Sequence, residues 1–394
     1  MRALRRPVIE GGSSPVRDLL ALTERAEVIS FAGGLPAPEL FDEGGLRAAF
    51  SAALAEGQAA RALQYGMTEG EPRLRELLAA LLTERGAASA ADDVVVTTGS
   101  QQALALITAA LVRPGDRVLV EAPSYLAALQ AFRFAGAVPV AVASDADGPR
   151  PEALAAAVAE HDPALLYLVP TFQNPTGATI PAARRSELAG VLEGSGVWVV
   201  EDDPYGELRY DGEPVAPLAA DPRIAAQVLS VSSLSKVVAP GLRLGWLTAP
   251  AELRRAIVIA KQATDLHTAT VAQAAARHWL EAGSLPGQLA VLRHAYRERR
   301  DAFVQALPAA LPAGTEFRSP DGGMFVWARL PAGYGAEALL HRALEHDVAF
   351  VPGAAFFASA PDPRTLRLSF TTHAPERLRE GLRRLGEAAA RDAD

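Results

Sequence analysis

From residue 93 onward, short apolar runs recur along the chain: Val94–Val96, Val118–Val120, Val138–Val142, Leu165–Val169, Val197–Val200 and Val228–Val231. Their apolar positions are consecutive, where a strand with one wet face would alternate; strands buried on both faces read this way. Most of the intervening stretches have helical spacing, as in Ala103–Val112, which Pro114-Gly115-Asp116 stops. Apolar strands separated by helices predict an α/β protein whose mostly parallel sheet is covered by helices. Upstream, Ser14–Leu22, Leu46–Leu54 and Pro72–Glu84 also read as helices.

After about Pro286 the pattern changes. A long charged helix over Leu289–Leu307 leads to Gly322-Gly323-Met324-Phe325-Val326-Trp327, a helix over Ala336–Glu345, a strand over Ala349–Val351, the stretch Leu366–Phe370 and a final helix. This predicts a large domain over residues 45–285 and a smaller α+β domain over 286–394, with residues 1–44 packed against the smaller one. No internal repeat or heptad run is present.

Composition narrows the function classes. With 394 residues, 49% of them hydrophobic, the chain can bury a large core. Its net charge of −8 offers no basic field to nucleic acid or an anionic membrane. The absence of Cys removes disulfides, thiolate metal sites and thiol nucleophiles, and leaves the redox compartment open. The start is basic but no apolar signal core follows, and runs such as Ala103–Val112 are too short to span a bilayer. A cytoplasmic protein without nucleic-acid or membrane partners is expected.

Chemistry enters at Ser230-Val231-Ser232-Ser233-Leu234-Ser235-Lys236 and its continuation to Arg243. Only two lysines occur, Lys236 and Lys261, and Arg carries the remaining positive charge. Ammonium can lose its proton near neutrality and attack a carbonyl, which guanidinium cannot, so a lysine kept among hydroxyls after an apolar strand is a candidate Schiff-base residue. Ser233, Ser235 and Arg243 would suit a phosphate monoester beside an aldehyde, and pyridoxal phosphate carries both groups on one ring. The alternative is a serine-rich turn with a snorkelling lysine.

Other unusual residues fall just after predicted strands, where open α/β sheets bind ligands. Gly99-Ser100-Gln101 opens a helix whose free N–H groups attract phosphate, or simply caps it. Tyr125 can lie on a flat ring or belong to the core. Asn174, in Phe172-Gln173-Asn174-Pro175-Thr176-Gly177, can bond a phenolic oxygen or cap its turn. Within Glu201-Asp202-Asp203-Pro204-Tyr205, Asp202 can keep a pyridine nitrogen protonated, making the ring an electron sink, and Tyr205 can donate to the phenolate oxygen. A divalent-metal cluster is the other reading of these acids, but no His lies nearby, and no metal is expected. The dinucleotide and nucleoside-triphosphate fingerprints are missing.

Together these residues resemble the fold-type I pyridoxal-phosphate-dependent aminotransferases of classes I and II, most closely the subgroup of 2-aminoadipate and kynurenine aminotransferases. Seven motifs stand in the family's order: Phe31-Ala32-Gly33-Gly34-Leu35-Pro36, Gln64-Tyr65-Gly66, Gly99–Gln102, Asn174–Gly177, Asp202–Tyr205, Ser233–Arg243 and Arg367-Leu368-Ser369-Phe370. The resemblance implies that Lys236 joins the cofactor and moves the proton between Cα and C4′, that Asp202 pairs with the ring nitrogen, and that Asn174 and Tyr205 meet the phenolic oxygen. It implies Tyr125 stacked on the ring and Ser100, Gln101, Ser233, Ser235 and Arg243 around the phosphate. Tyr65 would reach in from a second subunit of a homodimer with its active sites at the interface. Arg367 would clamp the substrate carboxylate with Gly34 and Asn174 close by, and Arg17 would meet the side chain, suiting a distal carboxylate such as that of glutamate or 2-aminoadipate. The expected reaction is ping-pong transfer of the amino group of an L-amino acid to a 2-oxo acid such as 2-oxoglutarate. The same ring contacts would serve a lyase, decarboxylase or cyclase. Regulators of the MocR type resemble the same subgroup, but they carry a basic winged helix ahead of the first motif, which here begins near Phe31.

Overall fold

The structure, a computed structural model, describes Arg25 and residues 27–390. The predicted helix over Ser14–Leu22, and Arg17 with it, lies outside the described residues.

Seven strands build the central sheet: β1 (Val94–Thr97), β2 (Arg117–Val120), β3 (Val138–Ala141), β4 (Leu165–Leu168), β5 (Trp198–Asp202), β6 (Val228–Ser233) and β7 (Gly245–Thr248), in the order β1-β7-β6-β5-β4-β2-β3. The five strands from β6 to β3 run parallel, whereas β7 lies antiparallel to β6 and β1. The apolar pattern did not single out β7: the strand is four residues long, and its first position is a glycine.

Eleven helices longer than two turns surround this frame among the described residues. In chain order they are α1 (Glu43–Ala53), α2 (Pro72–Glu84), α3 (Ser100–Leu111), α4 (Leu126–Phe134), α5 (Pro151–His161), α6 (Ala182–Leu192), α7 (Ala251–Thr264), α8 (Thr270–Glu281), α9 (Ser284–Ala310), α10 (Ala336–Glu345) and α11 (Pro375–Ala390). Consecutive residues of β4 go to opposite faces. Leu165 and Tyr167 join the core shared with α3 and α4, while Leu166 and Leu168 join Leu154 of α5 and Leu188 and Leu192 of α6. Both faces are therefore dry, which is why the strands read as unbroken apolar runs. Helix α9 begins at Ser284 and carries Pro286 in its first turn, where a missing N–H costs no helical bond.

A four-stranded antiparallel sheet follows: β8 (Glu316–Phe317), β9 (Phe325–Arg329), β10 (Val351–Pro352) and β11 (Thr365–Ser369), in the order β8-β9-β11-β10. The single strand predicted over Ala349–Val351 is two. Val348–Ala349 pairs in parallel with Ile29–Ser30, and after the buried Phe350 the chain turns so that Val351–Pro352 pairs with β11. The same short stretch thus serves two sheets. Among the described residues no helix is long and apolar enough to cross a membrane.

Candidate active site

The parallel strands β1, β2, β4, β5 and β6 deliver their carboxyl ends to one edge, where Asp202 ends β5 and the segments after the other four carry Ser100, Tyr125, Asn174 and Lys236. Asp202 is the last residue of β5 and is buried. Register sets its neighbour: Tyr167 of β4 lies opposite Val200, so Asp202, two residues on, is diagonal to it on the same face. The Tyr167 hydroxyl donates to Asp202 Oδ2 at 2.8 Å, and Asp202 Oδ1, equally buried, has no protein partner. Burial pushes the Asp202 carboxyl up to about 7; the Tyr167 hydrogen bond holds it down, and the neighbouring Asp203 adds to the rise. A buried acceptor left unanswered beside a satisfied one is what a donor on a ring nitrogen would complete. Tyr167 escaped the sequence reading because, inside Leu165–Val169, it looks like one more core residue.

Lys236 ends the turn after β6, and its Nζ donates to the Gly34 carbonyl at 2.8 Å. Burial, with the Arg367 and Arg243 charges, brings its amine down from 10.5 to about 8, so deprotonation comes far closer to neutrality than for a free lysine. Gly34 is held close: a Cβ there would lie 2.5 Å from the ring of Phe325.

A second cluster surrounds Arg367, which stands mid-strand in β11 opposite Trp327, on the same face as Phe325. Its guanidinium lies over the rings of Phe325 and Phe356, 4.4 and 5.0 Å from their centres. Nη1 donates to Asn174 Oδ1 at 2.8 Å and Nη2 to the Ala32 carbonyl at 2.6 Å, while the buried Nε has no protein partner. Asn174 Nδ2 in turn donates to the Tyr205 hydroxyl at 3.5 Å. Burial shifts Arg367 down to about 10 and raises the Tyr205 phenol well above its ordinary value. Tyr125 is raised to about 12, first by burial and then by the Asp202 charge, against which the Arg367 and Arg243 charges act.

The third cluster suits a phosphate. Gly99 caps α3 with φ of 75°, and a Cβ there would stand 2.6 Å from Arg243 Nη2, so only glycine lets the guanidinium approach the helix start. Arg243 itself has a left-handed backbone, φ 53°, a conformation found in functional turns. Ser233 Oγ and Ser235 Oγ are 2.7 Å apart, and Ser233 Oγ accepts from the Ser235 N–H at 3.0 Å. A helix N-terminus, two hydroxyls and a guanidinium are the groups from which an anion cradle could be made. Ser100 and Gln101 open α3, with Gln101 exposed.

Tyr65 is placed differently. Its side chain is 78% exposed, and its ring meets that of His267 edge to face at 5.6 Å. Among the described residues no group of three or more His, Asp or Glu side chains is arranged to hold a metal ion.

The groups present, namely the candidate cradle, the half-answered acceptor Asp202 and the amine of Lys236, fit a phosphorylated pyridine aldehyde. Comparison with known proteins points the same way. Residues 40–385 match the model of the family described as aminotransferase class I and II. The chain is 42% identical over 381 residues to aromatic-amino-acid aminotransferase 1 of Thermococcus litoralis, covering 95% of this chain and 91% of that protein. It is 43% identical over 378 residues to the 2-aminoadipate transaminase of Thermus thermophilus, covering 95% and 94%. The crystal structure of an alpha-aminoadipate aminotransferase of the same organism, complexed with N-(5'-phosphopyridoxyl)-L-leucine, superposes with a TM-score of 0.91 at 40% identity, covering 98% of this chain and 97% of that one.

Proposed function

Because this chain belongs to the class I and II aminotransferases and is a transaminase that uses pyridoxal phosphate, we infer that it moves the amino group of an L-amino acid to 2-oxoglutarate by a ping-pong path. When bound, pyridoxal phosphate supplies a carbonyl that accepts the amino group and a conjugated ring that holds the electron pair left when Cα is deprotonated. Lys236 would hold the cofactor's aldehyde carbon, and its amine would take the proton from the substrate Cα. The observation that carries this reading is Asp202 Oδ1, a buried carboxylate oxygen with no protein partner whose twin is fixed by Tyr167. Asp202 keeps the ring nitrogen protonated, Asn174 and Tyr205 meet the phenolic oxygen, and Tyr125 covers the ring. Ser100, Gln101, Ser233, Ser235 and Arg243 hold the phosphate.

Arg367 binds the substrate carboxylate, with Gly34 and Asn174 beside it. Its planar fork fits a carboxylate bidentately, and the guanidinium is buried over two aromatic rings. Arg17 meets the side chain of a dicarboxylic donor such as glutamate or 2-aminoadipate.

The working unit is a homodimer in which Tyr65 completes the phosphate site of the partner. In support, Tyr65, Leu63, Met67 and Leu54 are all strongly exposed within one short segment, an apolar surface of the kind that marks an interface. Residues 45–285 form the cofactor domain, and residues 1–44 with 286–394 the smaller one. This division is supported by the confinement of the seven-stranded sheet to residues 94–248 and of the four-stranded one to 316–369, with Ile29–Ser30 paired beside Val348.

Absorbance spectroscopy of the purified protein tests the reaction. The cofactor's visible band should give way to that of pyridoxamine phosphate on adding a donor amino acid alone, and return with 2-oxoglutarate. It should be absent from Lys236→Ala. Product release with no oxo acid needed for turnover would move the assignment to a lyase, decarboxylase or cyclase.

A further inference from the structure

Lys261, the second of the chain's two lysines, takes no part in the site as described. It lies on the stripe Leu253, Ile257, Lys261 of α7, where successive members are one helical turn apart and all are buried. An apolar residue is the expected occupant. Lys261 has no solvent exposure, and its Nζ meets four oxygens: Gln102 Oε1 and Asp265 Oδ1 at 2.9 Å, Asp265 Oδ2 at 3.0 Å and Thr268 Oγ1 at 3.1 Å. Oxygens converging from several directions suit a tetrahedral ammonium, not a planar guanidinium. Burying that charge is costly unless it is answered in this way.

The cluster reaches β1, where the Thr268 hydroxyl donates to the Val96 carbonyl at 3.3 Å, and the turn that follows it. Gln102 Oε1 also accepts from the Thr98 N–H at 2.7 Å, Gln102 Nε2 donates to Asp265 Oδ2 at 2.6 Å, and the Thr98 hydroxyl donates to the same oxygen at 3.3 Å. From the other side Arg243 Nη2 donates to the Thr98 carbonyl at 3.5 Å. The residue before Gly99 and Ser100 is therefore clamped between Lys261 and its partners on one flank and the phosphate-cradle arginine on the other.

We propose that Lys261, acting through Gln102 and Asp265, is a positioning residue that fixes the Thr98-Gly99-Ser100 turn and so the grip of the cradle on the cofactor's phosphate. The inference rests on the cofactor reading above. Its effect is confined to the phosphate end, since none of the bonds named reaches Asp202, Asn174 or Tyr205.

The test uses the full-length chain freed of cofactor and titrated with pyridoxal phosphate or with pyridoxal, which has the ring and aldehyde but no phosphate. In Lys261→Met the affinity for pyridoxal phosphate should fall roughly tenfold to a hundredfold, the worth of a buried charge-assisted hydrogen bond, while that for pyridoxal stays within about twofold of wild type. Gln102→Met keeps the Lys261–Asp265 pair and the Thr98 hydroxyl's bond to Asp265, and removes the acceptor that Lys261 shares with the Thr98 N–H together with the donor to Asp265. It should show the same selective loss, and it decides the matter alone if Lys261→Met does not fold. Equal losses for both ligands, or none for either, would overturn the proposal. Failure of the wild type to prefer pyridoxal phosphate over pyridoxal would instead sink the site reading, and the proposal with it.

Discussion

Lys236→Met should make the cofactor-free chain more stable at neutral pH, although it removes the residue on which the chemistry depends. Burial and the Arg367 and Arg243 charges bring the Lys236 amine from 10.5 in the unfolded chain to about 8 in the folded one. At about 1.36 kcal/mol per unit that fall is roughly 3 kcal/mol of destabilisation carried by the protonated folded form. Residual contact with water screens part of it, and losing the donor to the Gly34 carbonyl costs the variant about 1 kcal/mol, so about 1–2 kcal/mol remains in its favour. An unfolding entropy of about 2.1 cal/mol/K per residue over 394 residues turns this into a rise in Tm of about 1–2 °C. The sign follows from proton counts. Between about pH 8 and 10.5 the unfolded wild type holds a proton that the folded one has lost, so wild-type stability rises with pH through that window. The variant's advantage is therefore full below about pH 8 and gone by about 10.5. Differential scanning calorimetry of both proteins across this range measures it. A variant less stable than wild type at pH 7, or an offset that does not change with pH, would refute the reasoning.

Three further outcomes are expected. Arg367→Lys keeps a charge but loses the fork, so kcat/KM for the amino donor should fall by about a hundredfold, read from steady-state kinetics, while affinity for pyridoxal phosphate stays unchanged. Tyr167→Phe removes the donor that holds the Asp202 carboxyl down, so kcat should drop about tenfold at constant KM, and the acid limb of the pH–kcat/KM profile should move to higher pH. Arg17→Ala should raise KM for glutamate and 2-aminoadipate by about tenfold and leave neutral donors unaffected; equal kinetics for both classes would remove Arg17 from the site.

The sheet was legible because its strands are dry on both faces. Residues 165 to 168 supply each face in turn with an apolar side chain, so no polar position interrupts the run. The same logic hid β7, whose pairing partners are set by tertiary contact and not by a long apolar signature. It also merged Val348–Ala349 with Val351–Pro352, since nothing in the composition of that stretch marks the change of partner at Phe350.

The site divides along a similar line. Residues whose chemistry is unusual for their position could be picked out singly: a lysine among serines, acids at a strand end, an asparagine in a proline turn. Groups that act through another residue could not, because their local sequence is ordinary and their partner is distant. Tyr167, which reaches Asp202 across 35 residues, is the example. Lys261 is the intermediate case. Its signal was present as a charge one turn beyond Leu253 and Ile257 on the buried stripe, but on a helix whose inner face is not yet known a lysine reads as solvated surface. A cation on an apolar stripe is therefore evidence for a buried acceptor cluster once the packing face is known, and here those acceptors belong to the turn that faces the phosphate.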